Sequence, residues 1–492
     1  MVLNEKQRQT GADNFRDAVR ISRRQMLSGA VAIPSAAAMY FGYEELKGEP
    51  VRAGLIGTGN QGCYAHIAQS NPAYVDIVAF SDIRPSNQAR ARQYFRDKYG
   101  PRADKVELYE DYKRMLERDD IEMIIIALPL FLHAPATIAA LEAGKHVLCE
   151  KLMAGTVMEC KQMVRAAARH KRFLSIGHQR HYSYMYANAR SLIEQGVLGD
   201  IRHIRAFWHR NQTGNGAAGA EDGRFDSWYP PVPKEDAGVD FRKFGYDSIE
   251  QMIRWRVDPK TGGGLMVELG SHQLDACSIF LQAMGAAHAA EGAPAHHILP
   301  VAVHGTGLIS YFKNDRKLPD HAFLTYEYGE DAHNAVVMYS SISTNAFDGY
   351  GEQVMGTRAT LSLLQEAEAY IFQEGAGKDT RINWAEARVS RAMADSGSTR
   401  AWGAAVGVAD TLTSRGYREE QEHLAWLIRS GKPADGPDQP RCNGLIGLND
   451  AVVTLVSNLA MDVKKRLVFK PEWFDPASDA VPETDPDVTG KA

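Results

Sequence analysis

The stretch VRAGLIGTGNQG, Val51 to Gly62, decides how this chain is read. Val51 to Ile56 is apolar except at Arg52 and reads as a buried strand. Gly57-Thr58-Gly59-Asn60-Gln61-Gly62 then turns into CYAHIAQS, which has helical spacing. The first glycine permits the tight turn, and the second lets the backbone approach a pyrophosphate. The third lets helix and strand pack closely, with phosphate on the helix N-terminus. A second strand, VDIVAFSD, ends at Asp82. A carboxylate there can bond both ribose hydroxyls of an adenosine and repel a 2′-phosphate, which favours NAD over NADP. Arg84, two residues on, is counted with the same site.

Outward from this turn the alternation of strand and helix continues. Ser86 to Tyr99 is helical, KVELY a short strand, and Asp111 to Arg118 a helix. IEMIIIALP is apolar after Glu122, as a central strand of a parallel sheet is. Leu132 to Ala143 is a helix closed by Gly144, HVLCE a strand, Met158 to His170 a helix and RFLSIGH a sixth strand. The expected architecture is α/β: an N-terminal doubly wound parallel sheet over 49–179, then a second α/β domain over 180–470. Stretches 322–342 and 354–364 alternate as strands of that second sheet. Residues 471–492, ending in DPASDAVPETDPDVTGKA, read as a flexible acidic tail.

At 492 residues, with 44% apolar and 24% charged residues and a net charge of −5, the chain is an ordinary globular sequence of more than one domain. That charge gives no reason to expect nucleic acid as a partner. The five cysteines contain no Cys-x-x-Cys pair, and neither a disulfide framework nor a metal site is expected. The N-terminus carries Ser22-Arg23-Arg24-Gln25-Met26-Leu27, followed by an uncharged stretch from Ser28 to Phe41. This is the twin-arginine pattern, and residues 1–48 read as an export signal and linker, with Ala36-Ala37-Ala38 suited to a signal peptidase. The twin-arginine export machinery is then a partner and the destination is periplasmic or otherwise extracytoplasmic.

Two further stretches point to one family. LEAGKHVLCEKL (141–152) resembles the Glu-Lys-Pro segment of the glucose–fructose oxidoreductase, inositol dehydrogenase and MocA (Gfo/Idh/MocA) family, and GGGLMVELGSHQLD (262–275) resembles its second signature. The similarity runs from about Val51 to Leu459. It implies an N-terminal NAD(P) domain, a C-terminal domain with a large open sheet, a sugar or polyol substrate between them, and often an oligomer. It also implies that Lys151 hydrogen-bonds the reacting hydroxyl and that His272 contacts or protonates it, with Glu268 setting the state of the histidine. The chain departs from the family in three places. Leu152 stands where Pro is usual and Glu268 where Asp is usual. ALPLFLHA (127–134) keeps Pro129 and His133 but has Leu130 at an Asn position.

Read physically, Lys151 falls at the C-terminal end of a parallel strand, where open α/β sheets bind ligands. A partly desolvated lysine beside a positive nicotinamide has a lowered pKa, suited to taking a hydroxyl proton. Glu268, His272 and Asp275 are spaced i, i+4 and i+7, which a helix sets on one face. Leu128, Pro129, His133 and Glu150 complete the expected cofactor site. His178, Arg180, Tyr182 and Trp255 are candidates for the substrate side, the last within an aromatic, Gly- and Pro-rich stretch (211–260). Residues 377–416 read as an insertion without an assigned role.

An exported protein meets no nicotinamide pool, so the cofactor is expected to be held tightly and restored within each cycle. Two chemistries do this: oxidation of one sugar coupled to reduction of another, and a redox-neutral glycoside cleavage by oxidation, elimination and reduction. A carbohydrate-binding protein that keeps NAD structurally is the non-enzymatic alternative.

Overall fold

The first sheet holds six parallel strands: β1 (Val51–Ile56), β2 (Val75–Ser81), β3 (Glu107–Tyr109), β4 (Met123–Ile126), β5 (His146–Glu150) and β6 (Leu174–Gly177). Their order is β3-β2-β1-β4-β5-β6, which reverses direction beside β1 and opens a crevice at the strand ends there. This is a computed structural model, and it describes residues 3–27, 41, 43, 46–212, 226–288, 298–329, 334–382 and 414–490. β4, MIII, is buried along its whole length because helices cover both faces of the sheet.

The second sheet is mixed and mostly antiparallel. Its strands are β7 (Ile201–His209), β8 (Pro300–Leu308), β9 (His321–Tyr328), β10 (Ala335–Ile342), β11 (Tyr350–Gly356), β12 (Ala359–Leu364), β13 (Glu368–Gln373) and β14 (Leu467–Val468). The order is β13-β12-β11-β7-β10-β9-β8-β14, with β7 and β10 the parallel pair. Alternation divides its faces. Leu324, Tyr326, Val337 and Tyr339 point into the core, while Phe323, Val336 and Met338 are exposed. The helices Ser271–His288 and Gly444–Val463 lie against this sheet. Gly444–Val463 is long and apolar enough to cross a membrane by length and composition alone, but here it is largely buried as a core helix.

Both ends of the chain are packed against the rest of the protein. The segment ahead of the arginine pair lies in a helix, Glu5–Leu27, that packs along β13. Asn14 is fully buried. It donates to Ile371 O and Thr380 O and accepts from Ile382 N, while Phe15, Ala18 and Val19 are buried. Residues 28–40, with Ala36 to Ala38, lie outside the described residues, as do 383–413 of the insertion. The acidic C-terminal stretch is packed through residue 489 rather than loose. Trp473, Phe474, Val481 and Val488 are buried, and the Lys161 ammonium donates to Glu472 O, Ser478 O and Ala480 O. Four apolar anchors and a three-carbonyl cation site outweigh an acidic composition.

Candidate active site at the domain junction

The glycine turn has the shape a dinucleotide needs. Gly57 sits at φ +91, and a Cβ there would meet Ala127 O at 2.4 Å; one on Gly62 would meet Gly57 O at 2.1 Å. Gly59 faces open space, with nothing within 4 Å, so its backbone is free for close approach by a pyrophosphate. The residues present therefore fit NAD. The turn that follows, Gly62–Ala68, is π-helical.

Asp82 stands at the end of β2 as expected, but its carboxylate works inside the protein. Oδ2 accepts from Thr58 N (2.7 Å), Thr58 Oγ1 and Asn87 Nδ2, and Oδ1 accepts from Arg84 N (2.9 Å). It thus fastens the glycine turn to the next helix from a buried position at the end of β2. The Arg84 guanidinium is turned to Asp236 (2.9 Å).

Glu150 and His133 are likewise bonded within the protein. Glu150 Oε1 accepts from Gln61 Nε2 (2.8 Å) and meets His66 Nε2 (3.0 Å), joining β5 to the glycine turn. Each His133 ring nitrogen lies 2.8 Å from a carbonyl, Leu152 O and Leu128 O. Only an imidazolium donates from both nitrogens. Burial pulls its pKa down, but Cys149 and the two carbonyls outweigh that and hold it at about 9. His133 thus ties the Leu128–Pro129 turn to the segment after Lys151, and the Lys151–Leu152 peptide is cis without a proline.

Lys151 Nζ donates to Val267 O (3.1 Å) and Glu268 O (2.8 Å), so the end of β5 is bonded to the second signature. Two of its three positions are taken. The third is an N–H when charged and a lone pair when neutral, and it is left for a substrate. Burial lowers the lysine pKa, and the carboxylates of Glu268 and Glu150 only partly restore it.

Glu268, His272 and Asp275 do not form the single group that their spacing suggests. Met266–Gly270 is another π-turn, and its i→i+5 bonds take Glu268 out of line with the helix Ser271–His288. Glu268 accepts from Arg256 Nε (2.7 Å), and Asp275 Oδ1 pairs with His181 Nε2 (2.7 Å). Burial pushes the Asp275 carboxyl up to about 7. Asp275 is therefore corrected from catalytic partner to interior residue. His272 is partly exposed, unlike the buried Asp275. Its ring lies 5.7 Å from Trp208, which stacks on Tyr350 at 4.4 Å. Burial first, then Lys151 and Arg180, hold its pKa well below that of free imidazole, so the ring is neutral at pH 7. Among the described residues its ring nitrogens carry no hydrogen bond, leaving both a donor and an acceptor.

The substrate-side candidates are mostly structural. Arg180 is fully buried and bonded to Glu352 (2.7 Å), Glu366 (2.9 Å) and His272 O. Tyr182 is in the core, its hydroxyl accepting from Arg441 N and meeting His423. His178 is buried, and Trp255 has Arg256 stacked over its ring at 4.2 Å. Sequence reasoning missed Trp208, Tyr350 and Arg415. Trp208 and Tyr350 are directly paired across β7 and β11, and Arg415, anchored on Glu366, contributes to the field at His272. AFWH at the end of β7 was the available signal, since it places an aromatic at the sheet end facing the crevice. Asn215, His296 and His297 lie outside the described residues.

Comparison with known proteins agrees with this architecture. Residues 51–178 match the Gfo/Idh/MocA model described as an oxidoreductase family, NAD-binding Rossmann fold; residues 190–428 match the same family's C-terminal alpha/beta domain. An alpha-N-acetylgalactosaminidase of Bacteroides fragilis is 28% identical over 204 residues, 41% of this chain and 48% of that protein. The chain spans about half the length of the curated relatives it matches. Two solved structures share the fold. An aldose-aldose oxidoreductase from Caulobacter crescentus has a TM-score of 0.57 at 17% identity, covering 86% of this chain and 100% of its own. An inositol dehydrogenase homolog from Azotobacter vinelandii, complexed with NAD+, has a TM-score of 0.58 at 19% identity, covering 86% and 98%.

Proposed function

The chain belongs to the Gfo/Idh/MocA oxidoreductase family, and from that premise we propose that it is an NAD-dependent enzyme acting on a hydroxyl of a sugar, sugar derivative or polyol, with a tightly held cofactor recycled within each turnover. The observation that carries this reading is Lys151: half-buried, held by two carbonyls, and left with one position free beside a neutral, unbonded His272. When bound, NAD supplies the hydride acceptor and donor. The chain's own part is proton handling. Neutral Lys151 accepts the hydroxyl proton at Nζ and returns it on reduction, and His272 offers a second donor or acceptor to the same oxygen. Trp208 and Tyr350 present aromatic surface suited to a sugar ring. NAD is favoured over NADP because Arg84, the nearest cation after β2, is engaged by Asp236.

A second reading, redox-neutral glycoside cleavage, is favoured by the likeness to an alpha-N-acetylgalactosaminidase. It uses the same groups, with a neutral base needed for the C–H made acidic beside the new carbonyl. Sustained turnover by purified protein given a sugar pair or a glycoside, with no nicotinamide added, tests both.

Export by the twin-arginine route goes with this proposal, on the evidence of Arg23-Arg24 and the uncharged stretch after them. Replacing both arginines with lysine should leave the protein inside the cell. Unchanged export of that variant would contradict the route.

A further inference from the structure

Behind His272, three segments far apart in sequence meet in the interior. They are His178 just after β6, Asp275 on the helix Ser271–His288, and Asp450 on the helix Gly444–Val463. All three are nearly inaccessible, at 1%, 1% and 2% exposure. His178 Nδ1 lies 3.7 Å from Asp275 Oδ2 and His178 Nε2 lies 3.9 Å from Asp450 Oδ2. These separations are too long for hydrogen bonds. The two distances leave from opposite nitrogens of one ring, so an ion would take only one of them; each is near the donor spacing of about 3.4 Å in a tetrahedral site with bonds near 2.1 Å.

The hydrogen-bond accounting points the same way. Both nitrogens of His178, Asp275 Oδ2 and Asp450 Oδ2 are buried without a partner. One donor atom from each residue falls within 4.8 Å of the others. The two carboxyls also approach each other closely. Two carboxylates in contact away from water need a positive charge or a proton between them. Arg180, whose charge reaches Asp275, is already engaged by Glu352 and Glu366. A shared proton would join the aspartates but leave a buried imidazole with two orphaned nitrogens, each costing about 1–3 kcal/mol. A divalent cation held by one His178 nitrogen and one oxygen from each aspartate balances both charges and leaves a single ring nitrogen without a partner.

We propose that His178, Asp275 and Asp450 bind one divalent d-block cation of the zinc class, with His181 orienting Asp275 from outside the coordination shell. The 2.7 Å bond from His181 Nε2 to Asp275 Oδ1 is the kind of support that fixes a ligand's direction. Cys442 lies at the edge, within 4.8 Å of His181 and Asp450, and supplies a softer alternative donor. Such an ion would staple the last strand of the nucleotide domain to the helix that carries His272, one turn before Asp275. It is a structural site, since no substrate reaches it.

The test uses the full chain, stripped with a chelator, reloaded with zinc or cobalt, and desalted before metal analysis. Wild-type protein should retain about one equivalent, with cobalt giving tetrahedral visible bands, and its melting temperature should rise on reloading. Asp450→Asn, which keeps the shape, and His178→Gln should each weaken metal affinity at least about tenfold and lose the thermal response. Folded wild-type protein that retains no metal would overturn the proposal. So would variants that retain metal as well as wild type, since the ion would then sit elsewhere. A metal-free wild type alongside a fully stable Asp450→Asn would assign the neutralising role to a proton.

Discussion

Replacing Lys151 with Met removes turnover while leaving the fold and the bound dinucleotide in place. The expected loss in rate is about 10²- to 10⁴-fold, the range in which a positioned proton-transfer group contributes. Met matches the length of the buried stem, and the neighbouring acids keep their other partners: Glu268 has Arg256, and Glu150 has Gln61 and His66. No carboxylate is left unpaired, so the melting temperature should move little. Rate and thermal stability measured on the same preparation check this. A variant that turns over as fast as wild type would remove Lys151 from the chemistry and favour a carbohydrate-binding protein.

The second large effect is on stability. Arg180→Met should destabilise the protein by about 3–5 kcal/mol, the cost of breaking a buried ion pair from one side. Arg180 is 1% exposed and reaches Glu352, Glu366 and the carbonyl of His272. Glu366 keeps Arg415, and Glu352 keeps Tyr186 and Gln273. Neither of those last two carries a charge, so the Glu352 carboxyl is left in the core without a cation. Denaturant unfolding measures the loss. If Arg180 instead held substrate, stability would be unchanged and only KM would rise.

The nucleotide half was legible in the sequence because its signals are local: short apolar strands, 3.6-period helices and a glycine turn whose three positions each have a steric reason. The site was legible in part. Lys151 and His272 stand where the motifs place them. The face shared by Glu268, His272 and Asp275 was not realised, because a π-turn over Met266–Gly270 adds a residue that i, i+4 counting does not see. Asp82, His133 and Glu150 stand where the sequence places them, but their bonds inside the protein, to the backbone of Thr58, Arg84, Leu128 and Leu152 and to the side chains of Gln61 and His66, are displayed by no motif. His178, Asp275 and Asp450 meet only through tertiary packing, so metal-ligand spacing along the chain was silent about them. The packing of the two ends was not legible in composition. A polar leader and an acidic tail each dock through a few buried residues, Asn14 and Phe15 in one and Trp473 and Phe474 in the other.

The measurement that tests the account most directly is turnover by the purified protein with no nicotinamide added, given a pair of aldoses and, separately, a glycoside. The bound dinucleotide should be counted on denaturation of the same sample. The account predicts about one NAD(H) per chain, retained because both domains close on it. It also predicts many product molecules per chain, with the oxidised and reduced sugars, or the cleaved glycoside, in balance. No dinucleotide released, together with a strict need for added NAD in proportion to product, would contradict the recycled cofactor on which the proposed function rests.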